Sequence, residues 1–290
     1  GTANQILQAR YNRVDTNDVD FRVRAALSWD VRQQTQYGTL RTYIRIGVEQ
    51  TTPAGAPAGT PFWDRAFLQF AGFTVGKAQS FYDTVTYGGA YSYHNVRTVS
   101  DTGASGWNVW AYTAQFGNGF SATLSLEDPN RGRTTVDGSA AAAFAIPAAV
   151  VTDNAFASQS ATNNGFRMPD IIGNLRVDQA WGFAAASVAI HDVSGGYWAA
   201  NNVNNGHPAD KLGWAVSAGV SFALAGGDRL AFNAQYSEGA AGYGAAFGAG
   251  QQWTILKPGT SIGVGWVAEG VFDTGREIEL TRVWNVIAFY

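Results

Sequence analysis

"FRVRAALSWDVRQQTQYGTLRTYIRIGVEQ", residues 21–50, alternates with a period of two on both sides of a short polar break. One series, Val23, Ala25, Leu27, Trp29, Val31 and then Leu40, Thr42, Ile44, Ile46, Val48, is nearly all apolar. The other, Arg22, Arg24, Ala26, Ser28, Asp30, Arg32 and then Arg41, Tyr43, Arg45, Gly47, Glu49, gathers five arginines and two acids. Successive side chains of a strand point to opposite faces. The stretch therefore reads as a hairpin with one apolar face and one arginine-rich face.

Composition says which surroundings such a hairpin meets. Only 14% of the 290 residues are charged, against roughly 25% in an ordinary soluble domain. Aromatic residues reach 13%, glycine accounts for 35 positions, and 46% of residues are hydrophobic. Mean hydropathy nevertheless lies slightly below zero, as happens when apolar and polar residues alternate. No stretch supplies the roughly 20 apolar residues of a transmembrane helix; "AAAAFAIPAAVV" at 140–151 is too short and contains Pro147. The opening "GTANQILQAR" has no basic region leading into an apolar one, so it does not read as a signal peptide. With no cysteine, a disulfide framework and a thiolate metal site are both excluded. A net charge of -3 argues against a nucleic-acid partner.

The same two-faced grammar recurs along the chain. "FWDRAFLQFAGFTVGKA" (62–78) reads as one strand, apolar on both faces. "WNVWAYTAQFGNGFSATLSLED" (107–128) reads as a hairpin on Gly117–Asn118–Gly119. Its apolar face is Trp110, Tyr112, Ala114, Phe116, Phe120, Ala122, Leu124, Leu126, and its polar face Thr113, Gln115, Ser121, Thr123, Ser125, Glu127. Residues 169–193 turn near Ala180 and Trp181, residues 212–239 turn on Gly226, Gly227 and Asp228, and 277–290 is the last clear strand. About eleven or twelve strands can be traced by this alternation. The connections near 79–105, 129–166, 194–211 and 239–260 are long and polar or glycine- and alanine-rich. With 62–78 taken as a single strand, simple alternation of the turns fails unless the Gly-Asn-Gly hairpin shares the side of the other tight turns, which the long connection before it allows.

Short turns set against long loops, joined to two-faced strands with aromatic ends, are the pattern of an outer-membrane antiparallel β-barrel, an up-and-down meander of the all-β class. In a closed barrel the apolar face meets lipid or a neighbouring subunit, and the polar face lines a lumen. Sixteen of the nineteen basic residues are arginine, a side chain that keeps its charge. Arg22, Arg24, Arg32, Arg41 and Arg45 on one wall would hold a field, and 77–106, with Asp83 and Asp101, is the expected acidic element facing them. Glu49, Glu127 and Asp178 read as merely solvated wall. A soluble β-sandwich, with the apolar face as its core and the arginines in solvent, shares the alternation. A barrel enzyme of lipase type is the third reading, with Ser92 and His94 on one side of an extended strand. His94, His191 and His207 are otherwise scattered, and His191 and Asp192, as chain neighbours, point to opposite faces. The glycine pairs at 88–89 and 226–227 lack phosphate-binding spacing and read as loop and turn residues. No cofactor is called for.

Four blocks carry a family resemblance: "SWDVRQQTQYGTLRTYIRIGVE", "FLQFAGFTVGKAQSFYD", "AYTAQFGNGFSATLSLED" and "REIELTRVWNVIAFY". They resemble the alphaproteobacterial general porins of rhizobia and brucellae, and the likeness spans most of the chain. The resemblance implies a transmembrane barrel of about sixteen strands, a homotrimer in the outer-membrane lipid, and passive diffusion of small hydrophilic solutes and ions. It also implies that the loop beginning "AQSFYD" folds inward and narrows the pore. Phe81, Tyr82 and Asp83 then begin a constriction loop of about 79–105 within a single porin domain, residues 1–290. The family's cysteine-containing N-terminal stretch is not found here, and several strands normally follow "VWNVIAFY"; truncation at both ends is the expectation.

Overall fold

Strings of β-branched and aromatic residues alternating with small polar ones favour strands over helices, and strands dominate the described residues. The computed structural model describes residues 22–51, 60–85, 102, 106–130, 136–137, 165–198, 203–244, 253–256, 263–266, 269–272 and 275–289. In chain order the strands are β1 (Arg22–Thr35), β2 (Gly38–Thr51), β3 (Thr60–Phe70), β4 (Phe73–Ala78), β5 (Trp107–Gly117), β6 (Phe120–Glu127), β7 (Val136–Asp137) and β8 (Asp170–Gln179). They continue as β9 (Gly182–Val193), β10 (Lys211–Ala223), β11 (Arg229–Glu238), β12 (Trp253–Leu256), β13 (Gly263–Trp266), β14 (Gly270–Val271), β15 (Glu279–Leu280) and β16 (Arg282–Phe289). Eleven form one sheet in the order β1-β2-β3-β4-β5-β6-β8-β9-β10-β11-β16, and every neighbouring pair in it is antiparallel. β12 pairs with β13, while β7, β14 and β15 form a small separate sheet. No described helix is long and apolar enough to cross a membrane.

The opening hairpin keeps the expected register. Leu27 lies opposite Ile46 and Trp29 opposite Ile44 on one face; Arg24 lies opposite Glu49 and Arg32 opposite Arg41 on the other. Residues 62–78 correct the sequence reading, because they form two strands. Ala71 and Gly72 make a tight turn with φ of 49° and 87°, and Phe70 pairs with Phe73 across it. Two consecutive left-handed residues suit the right-handed twist of a hairpin. Alanine is a rare occupant of that region, and nothing polar marks the reversal, so the run reads as continuous. With this hairpin in place the alternation is strict. The tight turns at 36–37, 71–72, 118–119, 180–181 and 224–228 share one end of the sheet, and the longer connections 52–59, 79–106, 128–169, 194–210 and 239–281 share the other. The conflict over the Gly-Asn-Gly hairpin disappears.

Burial is inverted relative to a soluble protein. Leu27, Leu124, Leu175, Val216, Phe232 and Val286 are exposed, whereas Ser125, Glu127, Asp170, His191, Ser217 and Ser237 on the opposite face are buried. A soluble sandwich would bury the first set, so that alternative does not describe this fold. Exposed aromatics mark both ends of the apolar band. Tyr37, Phe73, Phe116, Phe120, Trp181 and Phe222 surround the tight turns, and Trp63, Trp110, Trp214 and Trp284 ring the end of the long connections. From Trp110 to Phe116 the strand runs about 20 Å at its usual rise, close to the ~25 Å apolar band between the aromatic girdles of outer-membrane barrels.

Candidate functional site

The polar face of β1–β3 carries a ladder of ions. Arg41 grips both carboxylate oxygens of Asp30, at 2.8 and 3.0 Å, and Arg32 reaches the same carboxylate at 3.0 Å. Arg24 lies 3.2 Å and Arg45 3.3 Å from Asp64, and Arg24 also stands 3.6 Å from Glu49. The Arg24 guanidinium covers the Phe62 ring at 3.7 Å. Asp64 owes its position to a bulge: Arg45 pairs with Arg65 and Ile46 with Trp63, so Asp64 is the extra residue and turns onto the polar face. Four guanidiniums thus meet three carboxylates within one wall. Alternation locates Arg24, Arg32, Arg41 and Arg45, and it already places Asp30 and Glu49 beside them. It misses Asp64, since a bulge shifts the parity by one. Arg22 lies at the start of β1, its side chain outside the described residues, as is Asp101.

Beyond β4 the chain crosses the polar face. Ser80 Oγ donates to Glu127 Oε2 at 2.5 Å and the Phe81 amide donates to Glu127 Oε1 at 2.9 Å. Glu127 is 1% exposed, which corrects its reading as solvated wall: it anchors the loop. Asp83 Oδ2 accepts from the Thr102 amide at 3.0 Å and hydroxyl at 2.7 Å, tying the loop's outgoing arm to its return. Thr84 reaches Ser217 of β10 at 2.8 Å, and Asn233 of β11 donates to Thr84 at 2.7 Å. Val85 lies over Gly219, where an added Cβ would stand 2.5 Å from its methyl group. Within a few residues the segment leaves β4 and arrives over β10 and β11, so residues 79–85 fold inward. Tyr82 is fully buried and Asp83 nearly so. The remainder of the loop, including Ser92 and His94, lies outside the described residues apart from Thr102 and Gly106.

A second connection meets this loop. After β11 the short helical turn Ala241–Gly244 lies on the same face, and Tyr243 meets Tyr82 edge-on with ring centroids 4.6 Å apart. Tyr82, Ile172, Ala189, Ala215, Ala240 and Tyr243 form one buried cluster. Tyr243 Oη donates to Asp170 Oδ2 at 2.6 Å, the other Asp170 oxygen lies 2.6 Å from His191 Nδ1, and His191 Nε2 faces Glu269 Oε1 at 3.4 Å. All four side chains are buried. Asp192 instead accepts from the Arg167 amide at 3.1 Å, so the sequence neighbours do not form a pair. The partner of His191 is Asp170, the next residue along from the Ile171–Ile190 pair on β8 and β9. Only strand register reveals it. Among the described residues no three His, Asp or Glu side chains converge as a metal-ligand set.

A sheet that presents its apolar face outward, between aromatic girdles, and folds its own connections over a polar interior defines a transmembrane β-barrel of the bacterial outer membrane. The chain matches the family described as Porin subfamily over residues 1–286, and it belongs to that family. It is 28% identical over 195 residues to Porin Omp2b of Brucella suis biovar 1 (strain 1330), a match that covers 63% of this chain and 47% of that protein. Porin Omp2a of Brucella melitensis biotype 1 is 27% identical over 205 residues with the same coverage. The chain thus spans about half the length of these relatives. Among solved structures, the outer membrane channel DcaP of Acinetobacter baumannii superposes with a TM-score of 0.46 at 13% identity, over 83% of this chain and 68% of that one.

Proposed function

We propose that the protein forms a water-filled channel for passive diffusion of small hydrophilic solutes and ions, and that it is a channel rather than an enzyme. The observation that carries this reading is the unequal cover of the polar face. Toward β5–β11 it is largely buried beneath inward-folded segments, whereas the ion ladder of β1–β3, apart from the buried Asp64, remains at least partly open to water. A wall of fixed guanidiniums and carboxylates orders water along it, and an apolar solute must displace that water, so polar solutes pass preferentially. The tight turns face the periplasm and the long connections the cell exterior, the usual arrangement for short and long ends of such barrels. The family resemblance supports three copies in the working assembly.

The decisive experiment reconstitutes the full chain. Planar bilayers should record stepwise, ohmic conductance, and liposomes loaded with it should swell in small sugars and not in large ones. Bilayers that stay silent, with liposomes impermeable to every sugar, would overturn the channel reading.

A further inference from the structure

Nothing in the proposed filter requires the connection after β11 to enter the polar interior, yet its described parts do so at two separated places. Ala240, Ala241, Tyr243 and Gly244 are buried against the polar face, and Glu269, Phe272 and Ile278 are buried further along the same connection. Phe272 and Ile278 join Val193 of β9 in a second apolar cluster, with Trp198 and Leu280 against it. At the rim, Lys211 Nζ donates to the Ile278 carbonyl at 2.5 Å and Glu277 accepts from the Ala209 amide at 3.2 Å. The Glu269 carbonyl accepts from the Thr281 amide at 2.8 Å, and the Thr281 carbonyl accepts from the Gly239 amide at 2.9 Å, which closes the base of the segment.

Between these two places stands His191. Its ring lies within the sheet wall, one nitrogen toward Asp170 and the other toward Glu269 of the inward segment. Asp170 in turn holds Tyr243, the residue on which Tyr82 of the constriction loop rests. Separating these buried side chains would leave each without its partner in a site closed to water, which is costly.

We propose that the two described ends of the connection after β11, residues 239–244 and 269–272, form a second inward-folded element of the channel, that His191 is the positioning residue that pins it to the wall, and that the constriction loop is seated on it through Tyr82. This rests on the channel reading for its consequence in conductance. The packing it asserts can be tested without any current.

Because the chain has no cysteine, single thiols report on each element. In the full chain, assembled in lipid, Ala240→Cys and Val85→Cys should resist a bulky water-soluble maleimide, while Asp228→Cys at an exposed turn reacts freely. Adding His191→Leu should speed labelling at both buried sites by about tenfold or more, as a locally opened element does, and should raise open-channel current noise. Heat-modifiable gel mobility verifies that each variant has assembled. If His191→Leu does not assemble, His191→Gln, which keeps a polar side chain in the wall and removes the ring that spans Asp170 and Glu269, carries the same test. Free labelling of Ala240→Cys in the parent background overturns the second element. Unchanged labelling at both sites in the His191→Leu protein overturns the pin, and a response at Ala240→Cys without one at Val85→Cys overturns the seating of the loop. Protected thiols in a protein that never conducts would refute the channel reading and leave the packing intact.

Discussion

Gly219 has no room for a side chain: an added Cβ would stand 2.5 Å from Val85 and 3.0 Å from the Thr84 hydroxyl. Its backbone needs no glycine, so a substitution there strains the seat of the loop and not the strand. Gly219→Val should leave the barrel assembled and lift residues 84–85, raising the sugar cutoff in liposome swelling; an unchanged cutoff would mean that residues 84–85 do not limit the passage. Asp64 acts in the opposite sense, as the carboxylate shared by Arg24 and Arg45. Asp64→Asn leaves that positive charge less balanced and should move the reversal potential toward anions. Replacing Arg41 and Arg45 by glutamine should move it toward cations. If neither change alters the reversal potential, the ladder lies outside the conducting path. Alternation makes Arg24, Arg32, Arg41 and Arg45 legible, because parity holds along β1 and β2. Asp64 and the Asp170–His191 pair were not legible, since one depends on a bulge and the other on which strands become neighbours.

At the scale of elements, hairpins with a polar residue in the turn declare themselves, as at Gly117–Asn118–Gly119 and Gly226–Gly227–Asp228. The Ala71–Gly72 reversal does not, because strand and turn there are equally apolar. The inward course of residues 79–85 had an aromatic signature, Phe81 and Tyr82, that called for a surface to bury against. The connection near 239–260 reads by its many alanines and glycines as a loop, and Tyr243 is diluted among them, although Ala240, Ala241 and Gly244 are small because they lie under other chain. Deleting 84–100 should therefore raise single-channel conductance and widen the sugar cutoff without producing the full bore of an empty barrel, since the second element remains. Conductance equal to the parent's would place the filter elsewhere.

For the whole molecule, the outward face sets stability by depth. Ala122, Leu175, Ala186, Ala218, Ala234 and Val286 lie side by side in one row across β6, β8, β9, β10, β11 and β16. The row sits midway between the girdles. Leu175→Arg in this row should cost ~2–4 kcal/mol in lipid, while Leu212→Arg, outside the tryptophan girdle, should cost about 0–1 kcal/mol. Urea titration of vesicle-embedded protein measures both, and equal costs would contradict the assigned span.

The strict alternation of turns has one more effect, on how the molecule comes into being. If assembly starts from the side of the tight turns, those turns never leave water, whereas every long connection must be carried through hydrocarbon before the polar interior exists to receive it. The steepest desolvation then falls on the route and not on the finished fold. The segments proposed to narrow the passage would then also be the slowest cargo of insertion, and each shortening of them should speed membrane entry even where it spoils the proposed filter.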